Sequence, residues 1–242
     1  MDISFLERHG SAVALIDPIK HQNVSYATLA KQVTAWLDKL PKSRNCIAIG
    51  CSNSLEEIAL YLAAQIKGDT VYFFDKSMPN EALRATHLFE NGDLKQVSQT
   101  PQESSFTPTV ESFHSIIEEL LFQPQERAIT SLALHHPFGL SLLNAVIKSG
   151  GSLVLSTYSV LEPEFWSLIQ GKRCTMLPGT TPMYRLLYKI GFERFELPFL
   201  KTLLLTNSDL EPEMANRFAL LMKGRGGRFC IFNEKTGELV SK

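Results

Sequence analysis

The sequence predicts an α/β protein made of two packed βα subdomains with mainly parallel sheets. Three observations lead there. Short apolar runs rich in β-branched and aromatic residues recur along the chain, each bounded by turn-forming residues. Helix-length amphipathic stretches lie between them, which is the alternation of parallel sheets covered on their faces. The alternation breaks once, at residues 91–109, which are rich in Gln, Ser, Thr and Pro and read as a loop. It therefore divides into two series of similar size.

In the first series, Ser25 can cap a helix through Leu40, because Leu29, Val33, Trp36, Leu37 and Leu40 share one helical face and Pro41 stops it. The run Cys46–Cys51 predicts a buried strand. Asn53 or Ser54 then caps a helix to about Lys67, with Glu56 and Glu57 suited to the helix dipole and Gly68 to its end. Thr70–Phe74 predicts a second strand. Pro79 and Asn80 predict the start of a further helix, through about Glu90.

A helix is expected at Val110–Leu121, and then the second series begins. Strands are predicted at Ser131–Leu134, Ser152–Ser156, Arg173–Leu177, Lys201–Thr206 and Gly227–Phe232. Helices are predicted at Gly139–Lys148, closed by Gly150-Gly151, and from Pro163 to near Gly171. Two more are predicted at Pro182–Ile190 and from Pro212 to about Lys223. Three of these begin at Pro, which suits the first helical turn.

Composition excludes several classes. At 242 residues the chain is long enough to bury a real core, and 44% hydrophobic content is ordinary for a globular protein. The formal net charge is −1 with both signs interspersed, so neither a nucleic acid nor a membrane surface is expected as partner. Cys46, Cys51, Cys174 and Cys230 are scattered without a C-x-x-C, which predicts buried reduced thiols in a cytoplasmic protein. Met1–Ser4 lacks the basic and apolar regions of a signal peptide, and no apolar run approaches the ~20 residues that span a bilayer.

A collinear series of motifs carries the functional expectation. Ala14-Leu15-Ile16-Asp17 is followed by Val24-Ser25-Tyr26-Ala27-Thr28-Leu29-Ala30. Asn53-Ser54-Leu55-Glu56-Glu57 precedes Val71-Tyr72-Phe73 and Asp75. Later come Leu132-Ala133-Leu134-His135-His136-Pro137-Phe138-Gly139-Leu140 and Leu177-Pro178-Gly179-Thr180-Thr181-Pro182-Met183-Tyr184-Arg185-Leu186-Leu187. Leu203-Leu204-Leu205 with Leu210-Glu211-Pro212-Glu213 closes the series. In this order and spacing the segments resemble the adenylate-forming superfamily of acyl/aryl-CoA ligases and adenylation domains. The resemblance covers nearly the whole chain but only the N-terminal half of such an enzyme. It implies a first subdomain at 1–97, a connector at 98–109 in place of the phosphate loop, and a second subdomain at 110–242. It also implies that the family's later barrel and mobile C-terminal lid, with its catalytic lysine, are absent.

Against that family the nucleotide positions have changed. Adenylation needs a cradle for triphosphate, built from backbone N–H groups that glycines free to turn inward and from a lysine. The stretch Val97–Pro108 has no glycine and no lysine, and it contains Glu103 and two prolines. The adenine segment, glycine-rich in the family, reads Thr206-Asn207-Ser208-Asp209. The family's Y-G-x-T-E-T-G supplies a stacking tyrosine, a phosphate-binding threonine and a magnesium-ligating glutamate. Aligned on Thr236-Gly237, this chain reads Ile231-Phe232-Asn233-Glu234-Lys235 before it. Lys235 cannot ligate a hard cation, which takes oxygen donors.

The resemblance implies one retained element, an acyl or aryl substrate pocket shaped by His136, Phe138, Gly139 and Gly179. The alternative is that His136 is a strand-end histidine satisfied by backbone and Pro178-Gly179 is a structural turn. No metal site is expected from His135-His136, which lacks a third ligand. The expectation is a protein unable to adenylate by itself, without cofactor, acting as a partner of a pathway enzyme or acyl carrier protein in fatty-acid or polyketide-type biosynthesis. Two alternatives stand beside it: a minimal active ligase using ATP and magnesium, and a stand-alone binder of acyl or aryl ligands.

Overall fold

The computed structural model describes residues 3–77, 85–97, 123–206, 209–233 and 238–241. A short helix, α1 (Ser4–Glu7), precedes a hairpin of β1 (Val13–Asp17) and β2 (Gln22–Ser25). Then follow α2 (Tyr26–Lys39), β3 (Cys46–Gly50), α3 (Leu55–Lys67), β4 (Thr70–Phe74), β5 (His87–Glu90) and β6 (Asp93–Gln96). The second series is β7 (Arg127–Ile129), α4 (Pro137–Ser149), β8 (Ser152–Val154), α5 (Pro163–Gly171), β9 (Met176–Thr180) and α6 (Thr181–Lys189). It ends with β10 (Thr202–Thr206), α7 (Pro212–Gly224), β11 (Arg228–Asn233) and β12 (Glu238–Ser241).

Two mainly parallel sheets result, as expected. The larger has the order β12-β11-β10-β9-β7-β8-β1-β2, the smaller β4-β3-β5-β6. Among the described residues, antiparallel strands stand only at edges: β2, β12 and β6. The sheets do not follow the two halves of the sequence. β1 lies parallel to β8, with Leu15 opposite Leu153 and Ile16 opposite Val154, so the first hairpin completes a sheet drawn mostly from the second half.

The pleat of the larger sheet sends alternate side chains into two cores. On β10, Leu204 joins the core that lies between the sheets, together with residues of α2, α3 and α4. Its neighbours Leu203 and Leu205 join the core under α5, α6 and α7. Helix ends follow local chemistry. Ser54 and Glu57 form a capping box at the start of α3, and Gly68 ends it in the left-handed conformation. Ser25 caps α2 by accepting from the Thr28 N–H.

Four expectations are corrected. The segment expected to end a helix at Glu90 is the strand β5, which pairs with β3 on one side and β6 on the other. β6 falls within the expected loop, and its turn is made by Asn91 and Gly92, both at positive φ. The strand expected at Ser131–Leu134 is instead β7, four residues earlier, where Ala128 and Ile129 are fully buried. β9 begins at Met176 rather than Arg173, because Arg173 takes a left-handed conformation that no strand residue can hold. The expected helix at 110–121 and the start of the one at Pro79 lie outside the described residues. Among the described residues no helix is long and apolar enough to cross a membrane.

Candidate functional site

Open parallel sheets bind ligands beyond the carboxyl ends of their strands, because the loops there converge. In this chain Thr180, Thr206 and Phe232 stand side by side at that edge, as register partners on β9, β10 and β11. Gly179 pairs with Leu205 one step below. The fold therefore brings together the predicted positions Gly179 and Thr206. Asn207, Ser208, Glu234, Lys235 and Thr236 lie outside the described residues. The chain re-enters as β12, where Glu238 pairs with Asn233.

Hydroxyls dominate this edge, and Thr181 and Thr206 are both buried. Gly179 leaves room for α6: a Cβ there would lie 2.6 Å from the Met183 sulfur. The last β11 residues before the loop are taken up by packing. Ile231 belongs to the core under α5–α7, and Phe232 is fully buried in the core between the sheets.

The loop Ser131–His136 joins this edge to that of the smaller sheet. Ser131 donates through Oγ to the Pro178 carbonyl. Leu134 donates its N–H to Asn53 Oδ1 at 3.1 Å. Asn53 sits at φ +55°, a conformation Asn tolerates better than most residues, and its Oδ1 also accepts from the Cys51 thiol at 3.4 Å. Sequence reasoning gave Asn53 only a helix-start role and Ser131 only the start of a strand. The Asn-Ser pair ahead of a helix was the available signal for Asn53.

His136 is the N-cap of α4, not a strand end, and its Nδ1 accepts the Phe138 N–H at 3.2 Å. Phe138 is fully buried between the sheets. Gly139 admits the close passage of the loop beneath α4, since a Cβ there would stand 2.5 Å from the Ala133 carbonyl oxygen.

A polar cluster surrounds the neighbouring strand ends. Glu57, buried at 3% exposure, accepts from the Ser52 hydroxyl and from the Ser52 and Ser54 N–H groups. Lys76 Nζ stands 3.9 Å away. The Ser77 N–H donates to Asp75 and holds its carboxyl below the usual range, with the His135 imidazole adding to the effect. Burial pushes the Cys51 thiol up, so it stays protonated near neutral pH and is a poor nucleophile. All four cysteines are free.

The arrangement offers hydroxyls and amides at an edge suited to small ligands. A family model described as AMP-binding enzyme matches residues 101–228, more than half of the chain. The chain belongs to the AMP-binding enzyme family. No curated protein sequence matches it. Among solved structures, the N-terminal domain of FACL13 from Mycobacterium tuberculosis superposes with a TM-score of 0.77 at 11% identity, covering 99% of this chain and 79% of that one. CmiS6 gives 0.76 at 14% identity, covering 99% and 73%. The Klebsiella oxytoca NpsA N-terminal subdomain in complex with 3-hydroxyanthranilyl-AMSN gives 0.75 at 13%, covering 99% and 74%. At these identities the likeness establishes the AMP-binding fold: a mixed α/β domain like the N-terminal part of adenylate-forming enzymes.

Proposed function

We propose that this protein is a member of the AMP-binding enzyme family that does not form an adenylate by itself and serves as a non-catalytic partner. Its counterpart would be an enzyme or acyl carrier protein handling acyl or aryl acids in a biosynthetic pathway of the cytoplasm. The observation that carries the reading is the end of β11. Where the family motif places its stacking tyrosine and following glycine, this chain has Ile231 and Phe232, and both are packed into opposite cores. Neither side chain is free to stack on a base. Glu234 and Lys235 follow at the positions of the phosphate-binding threonine and the metal-ligating glutamate. A cation there repels magnesium, and an acid there repels phosphate.

Pyrophosphate release tests the reading. The purified protein is mixed with ATP, magnesium and a panel of fatty and aromatic acids, and no turnover above background is expected. Co-purification from the native host should return a stoichiometric partner. Turnover with any acid, abolished by omitting ATP, would replace this reading with that of a minimal ligase.

A further inference from the structure

A surface groove of about 320 Å³ lies on the outer flank of α6 and α7, lined by Tyr188, Glu193, Arg217, Phe218, Leu220 and Leu221. Both helices start at the carboxyl edge of the larger sheet and run back towards its amino edge, so the groove is remote from the Thr180–Thr206 edge. Phe218, which belongs to the core, forms its apolar floor, and Leu220, 71% exposed, stands at its rim. Arg217 spans it, paired with Glu193 and lying over the Tyr188 ring at 5.0 Å.

The amino edge beside the groove is basic. The segments that enter β9, β10 and β11 carry Lys172, Arg173, Lys201, Lys223, Arg225 and Arg228. Arg225 reaches the groove wall, donating to the Glu193 and Phe195 carbonyls at 2.9 Å each, and Lys201 reaches the Arg225 carbonyl at 3.5 Å. Glu193 and Glu196 are the acids among them. A chain of net charge −1 thus sets two exposed lysines, Lys201 and Lys223, on the side of the groove that faces this edge.

We infer that this groove docks an acidic amphipathic helix of a partner protein. The inference rests on the partner reading above and adds the partner's chemistry. The groove offers no strand edge, because its walls are helices whose backbone groups are already bonded. A ligand seated there must satisfy its own backbone, as a helix does. Apolar residues at i and i+3 or i+4 would enter beside Leu220 and Leu221, and carboxylates on the flanks would meet Lys223 and Lys201, both exposed.

The test places a photo-crosslinking amino acid at position 220 of the full chain in its native host and identifies the crosslinked peptide by mass spectrometry. An acidic amphipathic segment of another protein is expected. The synthetic peptide should then bind the unlabelled protein, and Leu220→Asp and Lys223→Glu should each weaken it at least tenfold while leaving the melting temperature unchanged. Crosslinking to a second copy of this chain, to a non-acidic segment, or to nothing would overturn the inference. So would binding of the protein to vesicles of 30% phosphatidylserine in phosphatidylcholine that Leu220→Asp abolishes. The two proposals fail separately. Adenylation by the purified chain sinks the claim that it forms no adenylate and leaves the groove to be decided by the crosslink, and a co-purifying partner that crosslinks elsewhere sinks only the groove.

Discussion

Asn53 and Leu134 lie 81 residues apart in sequence, and one hydrogen bond of 3.1 Å, from the Leu134 N–H to the Asn53 side chain, binds the edges of the two sheets together. Through Ser131 and the Pro178 carbonyl the connection continues to β9. The loop carrying His136 is therefore positioned by residues on both sheets.

Replacing Asn53 with Ala removes the acceptor and leaves a part-buried N–H without a partner. It also puts a residue less tolerant of positive φ at this position. A loss of about 2 kcal/mol is expected in urea denaturation. Asn53→Gly keeps the backbone relaxed and should recover part of that loss. Equal stability of both variants with the parent would refute the linking role.

Gly139→Ala places a methyl group where the Ala133 carbonyl stands. The clash is with backbone, so a side-chain rotation cannot relieve it, and a cost of about 1–3 kcal/mol is expected. Gly171→Ala, where an added Cβ meets nothing within 4 Å, serves as the control and should melt with the parent.

Tyr61 is buried and accepts a hydrogen bond from Asn144 Nδ2 at 2.8 Å across α3 and α4. Tyr61→Phe strands the amide and should cost about 1–2 kcal/mol. Pairing it with Asn144→Leu removes the orphan, and a double-mutant cycle should show a coupling of the same order.

Alkaline pH should unfold the protein early. Burial raises the Cys174 thiol and the Tyr61 phenol, each to about 12. In the unfolded chain these groups lose their protons at lower pH, so the unfolded state binds fewer protons and stability falls as pH rises. The window opens near the ordinary thiol range, about pH 8.5, for Cys174 and near about pH 10 for Tyr61, and it closes near 12. Each group then costs ~1.4 kcal/mol per pH unit. Urea midpoints between pH 8 and 11 should fall, and Cys174→Ala should flatten the slope from the start of that range. A flat profile for the parent would contradict the burial described for Cys174.

Nucleotide should leave the fold unmoved. With millimolar ATP and magnesium the melting temperature should shift by less than about 1 °C, since a ligand stabilises only in proportion to its binding. Restoring the family residues with Glu234→Thr and Lys235→Glu tests the cause. A larger ATP-dependent shift in that variant than in the parent is expected.

Much of the fold was legible because its signals are local. Ser54, Glu57 and Gly68 bracket α3, and Gly150 closes α4, each through bonds within a turn of the helix end. The strands were harder. Ala128 and Ile129 give β7 only two fully buried residues, while the more apolar-looking Leu132–Leu134 turned out to be the turn before α4. β5 and β6 followed a Pro-Asn pair that reads as a helix start, and their pairing with β3 is not local. At the site, Thr206 was placed by a strand end visible in the sequence, whereas Pro178 and Gly179, which follow the strand expected to end at Leu177 and read as a turn in the alternative, lie inside β9 as ladder partners of Leu204 and Leu205. The bridge from Asn53 was not legible, because no local pattern says which distant N–H a side chain will meet.

The union of β1 with β8 has a temporal consequence. During synthesis the hairpin at Val13–Ser25 leaves the ribosome long before its partner strand at Ser152–Val154 exists. At ~5–20 residues per second, the roughly 130 residues between them leave β1 with one apolar edge unpaired for about 6–26 s. The nascent chain is exposed to misassociation in that interval, and the cell's holding chaperones would meet it there first.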